Sequence, residues 1–187
     1  CNVAIEQDST FAEAYHLRAK IRLQLRRFPD AAQDLDLLIA KQPEKPAYFA
    51  TYGQLYLLSY QFEMAKQKLD SALELDPEHI EATLLLGSYY FRRVKYEEAD
   101  KCFSKVIELD RNNEDAYLQR GWNNLERSFK THPQALDDFQ HARKINPKNP
   151  LALRFIGDLH LGDKRYDLAE GAYREALNFQ PKSSAIL

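Results

Sequence analysis

The sequence predicts an all-α chain made of stacked antiparallel helix hairpins, and three observations carry that expectation. The phrase LELDPEHIEATLLLG, from Leu73 to Gly87, returns as IELDRNNEDAYLQRG from Ile107 and more loosely as KINPKNPLALRFIG from Lys144. Pro43, Pro77, Pro147 and Pro181 fall in one column, with Arg111 where a further proline would stand and Ser9 as its predecessor; the steps are 34, 34, 34, 36 and 34 residues. Within a step, apolar residues recur at intervals of three and four, the spacing of one helix face. A period of this length marks a chain of supersecondary units rather than one globular core.

The elements follow in order. Residues 1–10, CNVAIEQDST, read as the tail of a second helix, with Ala4 aligned to Ala72 and Ala142. Five units come next, at about 11–45, 46–79, 80–113, 114–149 and 150–183, and SSAIL opens a further one at 184–187. The expectation is therefore a segment of a longer repeat array. In the unit from Ile80, Leu86, Tyr90 and Phe91 line one helix, the polar turn RRVK interrupts the period, and Ala99, Phe103, Val106 and Ile107 line a second. Each closing proline removes a backbone donor and restricts the residue before it, so second helices stop near Leu75 or Ile145. Pro29 and Pro133 sit at the start of second helices, where a missing N–H costs little.

Two more columns say how the helices meet. Ala19, Gly53, Gly87, Gly121 and Gly157 form one, and Ala31, Ala65, Ala99, Ala135 and Ala169 the other. A larger side chain at a close helix crossing would push the backbones apart, at a cost of about 1 to 3 kcal/mol. The 36-residue step crosses all three columns between Gly121 and Ala135, which places a two-residue insertion near SFKTHP.

Tyr52, Gly53, Tyr56, Ala65, Leu69 and Pro77 in one unit, and Gly87, Tyr90, Ala99 and Phe103 in the next, resemble the tetratricopeptide repeat. The resemblance covers five units in phase, from about Phe11 to Lys182. It departs at the motif tryptophan, replaced by Tyr15, Phe49, Thr83, Tyr117 and Leu153, and at Arg22 and Asn124, which stand in the tyrosine column. The resemblance implies a right-handed superhelical solenoid whose first helices line a concave groove. A lone hairpin cannot bury its apolar face, so stacking supplies the core.

Composition excludes several function classes. With 44% apolar and 29% charged residues the chain is mixed enough to fold, and 26 basic against 28 acidic side chains give no broad field for nucleic acid or an anionic membrane. The longest apolar block, LLLGSYYF, is far short of the roughly 20 residues of a membrane span. Cys1 and Cys102 cannot make a disulfide framework or a four-thiolate zinc site, and an intracellular, cytoplasmic setting is expected.

No catalytic constellation emerges, and neither a cofactor nor a metal is expected. DRNNEDAYLQRG begins like a calcium loop but places Asp115 sixth and Gly121 twelfth, where glycine and glutamate are needed. Asp158, His160 and Asp163 lack a matching ligand set, Cys102 reads as a packing thiol, and phosphate-cradling glycine loops are absent. Arg92, Arg93 and Lys95 form only a short basic cluster at a turn. Arg18 and Arg120 share a column that is Tyr52, Leu86 and Ile156 elsewhere, and only their two units carry Asp34 and Asp138 on the second helix. Paired presence predicts an ion pair within each of those hairpins.

The remaining route to function is binding: a non-catalytic scaffold or adaptor holding a protein or peptide in the groove. Residues outside the packing columns place Glu13, His16, Lys20 and Gln24 on that surface, then Ala47, Ala50, Thr51 and Gln54, then Glu81, Leu84, Leu85, Ser88 and Arg92. Asp115, Leu118, Gln119, Trp122 and Glu126 follow, with Leu151, Arg154, Phe155 and Asp158 in the fifth unit. Trp122, the only tryptophan, leads the anchors with Leu118, Leu84 and Phe155, while Arg92 and Arg154 set register through acidic groups on the partner. The carboxylate clamp by which some family members hold chaperone tails is not matched, because its sites hold Ala50, Leu84, Leu85 or Trp122. Two other readings stand beside this one: the regulatory or substrate-recruiting arm of a larger enzyme, and self-association through exposed ends.

Overall fold

The computed structural model describes residues 12–128 and 132–179; the 1–10 tail, the 184–187 start and residues 129–131 of the SFKTHP insertion lie outside them. The described residues form ten α-helices and no strand: α1 (Ala12–Gln24), α2 (Phe28–Lys41), α3 (Pro46–Leu58), α4 (Phe62–Leu75), α5 (Ile80–Arg92), α6 (Tyr96–Leu109), α7 (Glu114–Arg127), α8 (His132–Ile145), α9 (Pro150–Gly162) and α10 (Tyr166–Phe179). The all-α hairpin fold expected from the period is the fold observed. The chain divides into two compact units, Cys1–Arg93 and Val94–Leu187.

Local chemistry sets the helix ends. Pro46 and Pro150 open α3 and α9, and Pro29 lies in the first turn of α2, where a missing N–H is harmless. Side chains of His79, Asn113 and Asn149 accept the backbone N–H of Ala82, Ala116 and Leu151 and so cap α5, α7 and α9. The turns inside the hairpins are tighter. Arg26, Tyr60, Val94 and Lys164 hold φ of 56°, 60°, 60° and 61°, the left-handed conformation that normally selects glycine after a helix. There the N–H of Arg27, Gln61 and Arg165 reaches back to the carbonyl of Arg22, Tyr56 and His160, each at 2.8 Å. In the fourth hairpin the same column holds Ser128, which is extended, at the point where the two extra residues enter.

In the first unit, Ala19, Leu23, Leu35, Leu38 and Leu55 make one core between α1, α2 and α3, and Leu57, Leu69, Ala72 and Tyr89 make the next between α3, α4 and α5. In the second unit Tyr117, Phe139, Ala152, Ile156 and Leu159 join α7, α8 and α9. The small-residue column has a direct steric cause. A Cβ built on Gly53 would stand 2.6 Å from Leu69, one on Gly121 2.7 Å from Phe139, and one on Gly157 2.6 Å from Tyr173. Each of these three glycines of a first helix thus faces a large residue of its second helix, and the alanine column is fully or almost fully buried.

The ion pairs expected inside two hairpins are present. Arg18 meets Asp34 at 2.6 Å and Arg120 meets Asp138 at 2.7 Å, with both aspartates buried and both arginines largely so. The two departures from the tyrosine column belong to the same networks: Arg22 adds a second bridge to Asp34 at 2.5 Å, and the Asn124 amide points to Asp138 at 3.5 Å. Arg120 also donates to Ser104 on α6 at 3.0 Å. Burial pushes Asp138 above the usual carboxylate range, while the Arg120 hydrogen bonds pull the other way. Taking away one partner strands the other charge in the interior. Arg120→Ala should therefore cost on the order of 3 kcal/mol, with Arg120→Leu plus Asp138→Leu costing clearly less, as read from urea unfolding midpoints. An unchanged midpoint in Arg120→Ala would contradict the pairing.

Candidate interaction surface

In the first unit, the first-helix face is largely occupied by its own side chains. Ala50 and Thr51 are fully buried. The Thr51 hydroxyl donates to the Ala47 carbonyl at 2.9 Å, so the His16 Nε2–H is the donor in its 2.8 Å contact with Thr51 Oγ1. Lys20 of α1 reaches past α3 to Glu81 of α5, with Nζ to Oε1 at 3.1 Å. Gln54, Leu84 and Ser88 are half-buried, and the Ser88 hydroxyl donates to the Leu84 carbonyl. Arg92 donates to the Leu57 carbonyl at 3.4 Å and lies over the Tyr60 ring.

The second unit offers a different surface. Trp122 on α7 is 44% exposed, yet it is held on two sides. Its Nε1–H donates to Glu126 at 3.2 Å, one turn along the helix, and its ring lies 6.0 Å from that of Phe155 on α9. Phe155 stacks in turn on the buried Phe139 of α8 at 4.8 Å and carries the Arg154 guanidinium 4.9 Å above its ring. Asp158 accepts the Tyr173 hydroxyl at 2.7 Å; burial and this bond push the phenol up to about 12. Three rings in sequence thus connect the core to an exposed indole.

Models of the tetratricopeptide repeat match residues 80–113 and 132–184. Tetratricopeptide repeats are thus present in the chain. Solved structures with the same fold include pilF of Pseudomonas aeruginosa, at 18% identity and a TM-score of 0.82 over 92% of this chain and 78% of that one. TTC0263, a thermophilic TPR protein of Thermus thermophilus, is 16% identical with a TM-score of 0.78 over 92% of this chain and 93% of that one. YrrB, a TPR protein with an unusual peptide-binding site, is 19% identical with a TM-score of 0.64 over 97% of this chain and 93% of that one. No curated protein sequence matches the chain. Proteins of this superfamily bind protein or peptide partners.

Several groove candidates take other roles in the tetratricopeptide hairpins. Thr51, expected on the surface, is buried because its position in α3 lies beneath α1, where a small side chain lets His16 approach. Leu118, expected as an anchor, is 7% exposed and belongs to the core with Tyr117 and Phe139. Arg92 is spent on a carbonyl and a ring of its own unit. Arg154 and Asp158 are exposed, Phe155 and Gln119 half-buried, and Phe155 is brought against Trp122. The supports Phe139 and Tyr173 were not singled out from sequence, although they share the column of Leu69 and Phe103.

Other chemistry is sparse. A polar cavity of about 550 Å³ lies between α6, α7 and α8, lined by Asp100, Tyr117, Arg120, Asp137, Asp138 and His141 among others, with the Arg120–Asp138 pair at its wall. The Cys102 thiol is pushed up to about 11 by burial, which keeps it protonated and poorly nucleophilic. Among the described residues there is no group of side chains fit to hold a metal ion, and no helix is long and apolar enough to cross a membrane.

His16 makes the first-unit surface sensitive to pH. Burial and then the Lys20 ammonium lower its pKa from 6.5, with Glu81 opposing. Below the unperturbed value the unfolded chain binds a proton more readily than the folded one, so stability is full above it and is lost as pH falls toward the folded pKa. The melting temperature should drop between about pH 7 and 5.5 more steeply in the parent chain than in His16→Gln. Parallel profiles would show that His16 contributes no linkage.

Proposed function

We propose that the chain is a non-catalytic interaction scaffold of five tetratricopeptide hairpins that holds a peptide segment of a protein partner on its first-helix face, with Trp122 as the principal anchor. The exposed indole, fixed by Phe155 on one side and Glu126 on the other, carries this reading. A large aromatic with two rotors already restricted loses little entropy on binding and buries much area, which is how tryptophan comes to dominate interfaces. Leu151 and Leu161 on α9 add exposed apolar side chains to the first helices of the second unit. The face of the first unit, closed by Lys20–Glu81 and His16–Thr51, contributes less than its residue types suggest. An intracellular, cytoplasmic setting is part of the same proposal.

The test is affinity capture of partners with the parent chain and with Trp122→Ala, alongside melting curves for both. Trp122→Ala should fold with nearly the parent melting temperature and lose its captured partner, with a binding loss of at least about 2 kcal/mol, roughly thirtyfold in Kd. Capture that is equal for the two chains would remove Trp122 from the site.

A further inference from the structure

We infer that the partner segment recognised by the α7–α9 face is basic: an apolar anchor residue accompanied by lysine or arginine. The inference rests on the peptide-binding reading above and adds the chemistry of the occupant. On α7, Asp115, Trp122 and Glu126 fall on one stripe, and on α9 Leu151, Arg154, Asp158 and Leu161 fall on another, by spacings of three, four and seven residues. Both stripes expose apolar side chains, with Trp122 44%, Leu151 44% and Leu161 49% exposed. Its charges are three carboxylates, Asp115, Glu126 and Asp158, against the single guanidinium of Arg154.

The hydrogen bonds already made do not cancel that imbalance. The indole uses Oε1 of Glu126 and the Tyr173 hydroxyl uses Oδ1 of Asp158; both donors are neutral, so each carboxylate keeps its full charge and a second oxygen. Asp115 makes no hydrogen bond or ion pair among the described residues. Arg154 places its guanidinium over the Phe155 ring, 4.9 Å from the centroid. The first unit shows the opposite condition, because Lys20 and Glu81 neutralise one another across α3. A face that carries exposed apolar side chains and an excess of carboxylates selects an apolar residue accompanied by cations, and it repels nucleic acid and anionic membranes by the same field. Aromatic ring and carboxylate together favour arginine or lysine over a neutral polar flank.

The experiment uses three synthetic peptides with one Leu-Phe core and flanks of two lysines, two serines or two glutamates on each side, titrated into the full chain while the emission of Trp122, its only tryptophan, is followed. At low salt the lysine peptide should bind about tenfold tighter than the serine peptide, and the glutamate peptide more weakly than either. The lysine advantage should shrink at about 0.5 M salt, where screening is nearly complete. It should also shrink in Asp115→Asn with Asp158→Asn, read as the ratio of lysine-peptide to serine-peptide affinity in the same variant. Equal binding by all three, a preference for the glutamate peptide, or no binding by any of them overturns the proposal. Whether partner capture by the parent chain still depends on Trp122 then decides if the peptide-binding reading falls with it or stands alone.

Discussion

Everything in this chain depends on a small side chain facing a large one where the two helices of a hairpin cross. Gly53 opposite Leu69, Gly121 opposite Phe139 and Gly157 opposite Tyr173 leave no room for a methyl group. That contact sets the distance between helices, and the distance decides which residues of the first helix are free to face outward. Glycine in a helix interior costs about 1 kcal/mol relative to alanine, so its recurrence at one position marks a packing demand stronger than local propensity.

The same contact connects fold to surface in the second unit. Phe139 fills the space that Gly121 leaves, Phe155 stacks on Phe139, and Trp122 rests on Phe155. An anchor supported in this way by the core is preorganised, which lowers the entropic cost of binding. In the first unit the corresponding position is Lys20, and its length lets it span to Glu81 and close the surface instead. One architecture thus yields an occupied face and an open one, through single residues at equivalent positions.

Most of the fold was legible in the sequence because the repeat compares the chain with itself. Columns of proline, glycine and alanine located the hairpins, and the joint presence of Arg18 with Asp34 and Arg120 with Asp138 gave the pairs now seen at 2.6 and 2.7 Å. Side-chain reach was the part that register does not encode. Thr51 and Leu118 occupy surface columns, yet they are buried by His16 and by the neighbouring helices. Arg22 and Asn124 read as losses of a tyrosine, although each serves the buried aspartate of its hairpin. A column shows where a residue starts; which neighbour it touches depends on the lengths and charges of the side chains around it.

The most direct test of this account is a double-mutant cycle at the crossing itself, with unfolding free energies for Gly121→Val, Phe139→Ala and the two combined. If the small-against-large contact governs the hairpin, Gly121→Val alone should cost about 2 kcal/mol or more, and clearly less once Phe139 has been cut back to alanine. Equal cost in both backgrounds would mean that the glycine serves some purpose other than admitting the ring, and the account of how these hairpins are spaced would be wrong.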